Sequence, residues 1–146
     1  MGAGMQEIYQ VTSALKSLPF CKHVAVLTDA RFSGVSTGAC IGHISPEALA
    51  GGPIGKMMDG DVIEICIDRK QMSASVHLVG EGSETFGAEE GARRLAMRAS
   101  REDLRPHPEL PDDTRLWAAL VEASGGVWGG CVYDVEKITG RLAEAR

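Results

Sequence analysis

The sequence predicts an α/β chain, β-rich over residues 1–80 and carrying a helical appendage over 88–146. Three observations predict it. Apolar or alternating runs at His23–Thr28, Asp61–Asp68 and Ser75–Val79 read as strands. Apolar residues recurring at steps of three and four after residue 88 read as helices. A high glycine content, 18 residues, beside 5% aromatics points to prominent loops and close backbone approaches.

Taken in order, Ile8, Val11, Leu15 and Leu18 define one face of a helix over 6–18, which Pro19 ends. Glu7 falls in its first turn, where the helix dipole favours a carboxylate. Cys21–Thr28 supplies a strand and Asp29–Gly42 a loop. Ser45 then reads as an N-cap and Pro46 as the first residue of a short helix, stopped by Gly51-Gly52-Pro53. Asp59-Gly60, between Ile54–Met58 and Asp61–Asp68, carries a hairpin signal. Ile63, Ile65 and Ile67 form one apolar face of the second run. Gly80–Gly87 reads as an acidic linker, and Ala88–Ala99 as a helix with Ala92, Leu95, Ala96 and Ala99 inward. A proline-punctuated connector over 105–111 cannot continue it. Asp112 opens a helix with Leu116, Trp117, Leu120 and Val121 on one side. Gly125-Gly126 and Gly129-Gly130 flank Val127-Trp128 in a turn, and Asp134 starts a last helix with Val135, Ile138 and Leu142 inward.

Composition narrows the function. A net charge of −5 argues against a nucleic-acid partner or a polybasic membrane patch. No apolar run approaches the roughly 20 residues that span a bilayer. Cys21, Cys40, Cys66 and Cys131 are scattered, with no Cys-x-x-Cys pair and no paired histidines. They read as reduced thiols of a cytoplasmic protein, with Cys66 a small core residue, and not as ligands of a metal or cluster.

The chemistry concentrates in Asp29–Gly38, a loop leaving a buried strand. Asp29, Arg31, Ser33, Ser36 and Thr37 place an acid, a base and three hydroxyls within nine positions. Such a loop is either a site or a turn whose hydroxyls cap backbone groups. Ser33 is the leading candidate nucleophile or base. The Gly-x-Ser-x-Gly hydrolase signature is absent, and the spacing of His43, His77 and His107 does not support a triad. Arg31 either grips a substrate carboxylate or pairs with Asp29. His43 is either a proton shuttle or a hydrogen-bonded structural histidine.

Gly4-Met5-Gln6-Glu7, Thr12-Ser13-Ala14-Leu15 and Leu27-Thr28-Asp29-Ala30-Arg31-Phe32-Ser33-Gly34 carry a resemblance. Gly42-His43-Ile44-Ser45-Pro46-Glu47-Ala48, Gly51-Gly52-Pro53-Ile54 and Asp59-Gly60-Asp61-Val62-Ile63-Glu64-Ile65 continue it in order. Together they resemble the C-terminal domain of the dihydroxy-acid dehydratase/phosphogluconate dehydratase family. Pro111-Asp112-Asp113-Thr114-Arg115-Leu116-Trp117 and Gly130-Cys131-Val132-Tyr133-Asp134-Val135 resemble its sugar-acid branch, typified by bacterial xylonate dehydratases.

The resemblance implies a swivelling β/β/α domain, residues 1–146 being a single C-terminal piece of a polypeptide several times longer. It implies dehydration of a small sugar acid to a 2-keto-3-deoxy acid. The iron–sulfur cluster and Mg2+ of the full-length enzyme are held mainly by the missing N-terminal domain, whose cluster ligands are not in this chain, and the full-length protein is a homo-oligomer. Ser33 falls on the serine whose alkoxide takes the C2 proton, and Glu7 on a carboxylate that joins the magnesium site. Arg31, Ser36, Thr37 and His43 are candidate substrate-binding positions. Val35 departs from the family pattern, in which some sugar-acid members carry threonine there, and Ser36 is the nearest hydroxyl. The alternative is a non-catalytic small-acid-binding or regulatory module.

Overall fold

The computed structural model describes residues 7–126 and 132–145. The chain is of the α/β class, as the sequence predicts, and every strand among the described residues lies before residue 86. It divides into two compact units, one of residues 1–55 with 102–146 and one of Lys56–Arg101.

In the first unit, β1 (Glu7–Ile8) precedes α1 (Gln10–Lys16). The helix is shorter than expected, because residues 7–8 are drawn into a parallel pair with β3 (Arg31–Phe32). Ile8 and Leu18 therefore leave the expected helical face, Val11 is 51% exposed, and Thr12 is the buried residue instead. Thr12 can be buried because its hydroxyl donates to the Tyr9 carbonyl at 2.9 Å. Glu7 accordingly lies in a strand and not in a helix's first turn.

Cys21–His23 forms a 3-10 turn, leaving Ala25–Leu27 as β2, which pairs in parallel with β4 (Ala39–Ile41). No helix starts at Ser45-Pro46. That bond is cis, and the 3-10 turn that follows spans Ala48–Ala50. Gly52 has no alternative to glycine, since a Cβ there would overlap the Pro46 carbonyl. Further along, α3 (Asp112–Ala123) and α4 (Val135–Glu144) begin where the acidic residues predict. Buried Ser124 links them, donating to the Leu120 carbonyl and accepting the Asp134 N–H at 3.0 Å. Their apolar stripes are less covered than expected: Leu116, Trp117, Val135 and Leu142 are each more than half exposed. Periodicity identifies an apolar face but does not provide its cover. The expected turn at Val127-Trp128 and Cys131 lie outside the described residues.

The second unit is an antiparallel sheet of β5 (Asp61–Asp68), β6 (Ser73–Glu81) and β7 (Glu84–Thr85), with α2 (Ala88–Met97) against β6. The hairpin closes at 69–72 and not at Asp59-Gly60, because Pro53–Lys56 is a 3-10 turn and offers no partner strand. Asp68 makes the turn, its Oδ1 accepting the N–H groups of Lys70 and Gln71 at 2.8 and 2.9 Å. Gly80–Gly87 is structured as well: Phe86 N–H donates to the Val79 carbonyl at 2.7 Å. Ile63 and Ile65 are half-buried, but Ile67 and Cys66 are exposed near the turn of the hairpin, so Cys66 is not a core residue.

Leu78 sits at the centre of this unit, 3% exposed. The helix meets it through Gly91, where a Cβ would overlap the Leu78 carbonyl. Gly91, Arg94, Leu95 and Arg98 thus face inward; of the positions expected there Leu95 holds, while Ala92, Ala96 and Ala99 are exposed. Arg98 binds Asp61 through two hydrogen bonds of 2.6 and 2.8 Å and Glu81 through one of 2.9 Å. Arg94 reaches Glu81, Glu84 and Glu90 and stacks 4.2 Å from the Phe86 ring centre.

Candidate active site

The site loop is built on the short parallel ribbon of β1 and β3. Glu7 is in register with Arg31, and Ile8 with Phe32. Residues in register share a face of the ribbon, which brings the Glu7 carboxylate to 3.7 Å from the Arg31 guanidinium. Arg31 therefore pairs with Glu7, not with Asp29 as the local sequence suggests. Both side chains are about half exposed, so the pair is worth at most about 1 kcal/mol and leaves the carboxylate open to a stronger partner.

Ser33 comes one residue after β3 and is half-buried. Its Oγ accepts a long contact, 3.5 Å, from the Val35 N–H, and its carbonyl accepts the Ser36 N–H at 2.9 Å, closing a turn. The hydroxyl meets a backbone amide and not an imidazole, which weighs against a serine-hydrolase triad. Gly34 has open space where a side chain would point, so nothing within 4 Å requires glycine there.

Ser36 turns toward β1, its hydroxyl donating to the Ile8 carbonyl at 2.9 Å. Thr37 instead lines a cavity of about 280 Å³ beneath α1, with Thr12, Leu15, Cys21 and Val26. His43 is exposed on the returning segment, with a left-handed backbone (φ 56°) and its N–H donating to Ala30. Glu7 and Arg31 are thus paired on the ribbon, Ser36 is tied to it through Ile8, and Ser33 follows β3 directly, whereas Thr37 and His43 belong to other surroundings.

Asp29 has a role that the sequence did not suggest. Its Oδ2 accepts the Ala48 N–H at 2.6 Å, fixing the 3-10 turn at Ala48–Ala50 to the loop's origin. Thr28, 7% exposed, likewise accepts the Ala30 N–H at 3.1 Å. The available signal was weak: an Asp and a Thr ending a strand favour backbone bonds, but the partner 19 residues away is invisible locally.

Among the described residues, no group of three or more His, Cys, Asp or Glu side chains could hold a metal ion. Cys21 and Cys40 are half-buried in the first unit, and Cys66 is exposed in the second. Glu7 can offer one carboxylate to a cation and no more.

The family profile described as dihydroxy-acid/6-phosphogluconate dehydratase C-terminal matches residues 1–120. The chain belongs to this family. Among curated dehydratases, it is 60% identical over 137 residues to the D-xylonate dehydratase YagF of Escherichia coli, covering 94% of this chain and 21% of that protein. It is 59% identical over 145 residues to the D-xylonate dehydratase YjhG of the same organism, covering 98% and 22%. A dihydroxy-acid dehydratase of Halothermothrix orenii is 42% identical over 111 residues, 76% of this chain and 17% of that protein. The chain spans about one fifth of the length of the dehydratases it matches. No solved structure matches it. No helix among the described residues is long and apolar enough to cross a membrane.

Proposed function

We propose that this chain is a single C-terminal domain of a sugar-acid dehydratase, with D-xylonate the leading substrate. The observation that carries the reading is its 60% identity, over 94% of its length, to a D-xylonate dehydratase. In this reading the remainder of the polypeptide, an N-terminal domain, completes the site. The whole enzyme is a homo-oligomer in the cytoplasm.

The reaction removes the proton from C2 and the hydroxyl from C3 as water, and the resulting enol tautomerises to the 2-keto-3-deoxy acid. Ser33 Oγ is the proposed acceptor of the C2 proton. A serine hydroxyl is too weak a base unless its alkoxide is stabilised by a neighbouring cation. The family's iron–sulfur cluster and Mg2+ would supply that stabilisation, together with polarisation of the leaving hydroxyl and the substrate carboxylate. The chain's own part is to fix Ser33 at the end of β3, to offer Glu7 from β1, and to leave the backbone at Gly34 open to substrate. Arg31 is proposed to border the sugar acid through its guanidinium beside Glu7.

The reading is tested by assaying the full-length enzyme against a panel of aldonic acids. D-Xylonate is expected to be dehydrated with the highest kcat/KM, and residues 1–146 alone to show no turnover with iron, sulfide and Mg2+ supplied. Turnover of D-xylonate by the isolated chain would overturn the split site, and a full-length enzyme inactive on every aldonate would overturn the substrate class.

A further inference from the structure

We infer that Ser36 is a positioning residue, whose hydroxyl ties the Ser33 turn to the strand that carries Glu7. The inference rests on the reading of Ser33 as the base.

The ribbon by itself fixes the spacing of Ser33 and Glu7 weakly. Among the described residues β1 and β3 share two register pairs, and the Glu7–Arg31 pair is half exposed at 3.7 Å. Ser36 adds two bonds at the place where the spacing is set. Its N–H donates to the Ser33 carbonyl at 2.9 Å, holding the turn that presents Ser33. Its Oγ donates to the Ile8 carbonyl at 2.9 Å, across 28 residues of sequence and in a part-buried setting. Ile8 is the residue next to Glu7. One side chain therefore connects the turn of the proposed base to the strand of the proposed metal-side carboxylate.

This assignment separates Ser36 from the substrate. A hydroxyl that donates its hydrogen to the Ile8 carbonyl is turned into the ribbon, and removing it should loosen geometry without removing a substrate contact. A misplacement of about 1 Å can cost about a hundredfold in rate, which is the effect a lost tether would produce.

The test uses the full-length, cofactor-loaded enzyme with Ser36→Ala and Ser36→Thr, alongside amide hydrogen exchange. Ser36→Ala should lower kcat by about tenfold to a hundredfold with KM for D-xylonate changed less than about twofold. Ser36→Thr, which keeps the hydroxyl, should restore most of kcat. Exchange over residues 29–38 should quicken in Ser36→Ala, while 61–81 is unchanged. An unaltered kcat in Ser36→Ala, whether KM rises or stays, would overturn the assignment. So would unaltered exchange in the loop. Should Ser36→Ala fail to fold, Ser36→Cys, near in shape and a poor donor, is read in the same way. A Ser33→Ala enzyme that kept its turnover would sink the base assignment by itself, and the exchange measurement would still decide whether Ser36 tethers the loop.

Discussion

The ribbon of Glu7, Arg31 and Ser33 and the hairpin of Asp61–Glu81 are held together in opposite ways. The hairpin has eight register pairs, a helix seated on a glycine, and an ion cluster around Arg94 and Arg98. Among the described residues the ribbon has two register pairs and is tied by single side chains: Ser36 on Ile8, Asp29 on Ala48, Thr28 on Ala30. Local stability in proteins is uneven, and binding loops come from its low end. The region proposed to meet the substrate has the sparser support, and each of its ties can be cut by one substitution.

The sharpest break of the comparison lies in the hairpin unit. Gly91→Val should destabilise the chain by about 3 kcal/mol or more in urea unfolding, because the new side chain overlaps the Leu78 carbonyl and cannot relax without moving α2. A loss below about 1 kcal/mol would mean that α2 is not seated on β6 in this way.

Asp61→Asn should come next. The Asp61 side chain is 6% exposed and doubly bonded to Arg98, which holds its carboxyl below the ordinary aspartate range despite the opposing effect of burial. Losing the charged hydrogen bonds should cost about 1.5–3 kcal/mol at pH 7. Because the folded state lowers this pKa, its contribution is fully present above the unfolded value near pH 4 and is lost as pH falls through the folded value. Glu90, held at about 2 by Arg93 and Arg94, titrates in the same sense. Urea midpoints should therefore fall between about pH 4 and pH 2, and less steeply in Asp61→Asn. Identical slopes in the two proteins would exclude Asp61 as a contributor.

The smallest effect is expected in the site unit. Asp29→Ala removes the acceptor of the Ala48 N–H and should cost about 1 kcal/mol, as loss of a helix cap does. Faster amide exchange confined to 29–51, with β5 and β6 unchanged, would show the tie to be local. Slower or unchanged exchange there would show Asp29 to be dispensable to the loop.

How much of this was legible in the sequence depended on whether the cue was local. The starts of α3 and α4 follow from acidic residues placed before apolar ones, and β5 follows from its alternating isoleucines. The hairpin partner was misread because Asp59-Gly60 is the stronger turn signal, while the real turn is made by Asp68 bonding Lys70 and Gln71 without a glycine. The inward face of α2 was read correctly at Leu95 but not at Ala92, Ala96 and Ala99, because Gly91 and Arg94 face inward for reasons of contact, not hydrophobicity. Ser33 stood out within its loop as a candidate nucleophile or base, whereas Glu7 was singled out through motif resemblance. The pairing of Glu7 with Arg31, two residues before Ser33, was hidden, since it depends on strand pairing across 24 residues.

The central claim is that Ser33, on the less supported of the two regions, removes the C2 proton. The most direct measurement is D-xylonate turnover by the full-length enzyme carrying Ser33→Ala, with its iron–sulfur absorption followed in the same sample. Turnover should fall by about 10²–10⁴-fold, the range for a lost general base, with the absorption unchanged. Turnover close to that of the unsubstituted enzyme would contradict it.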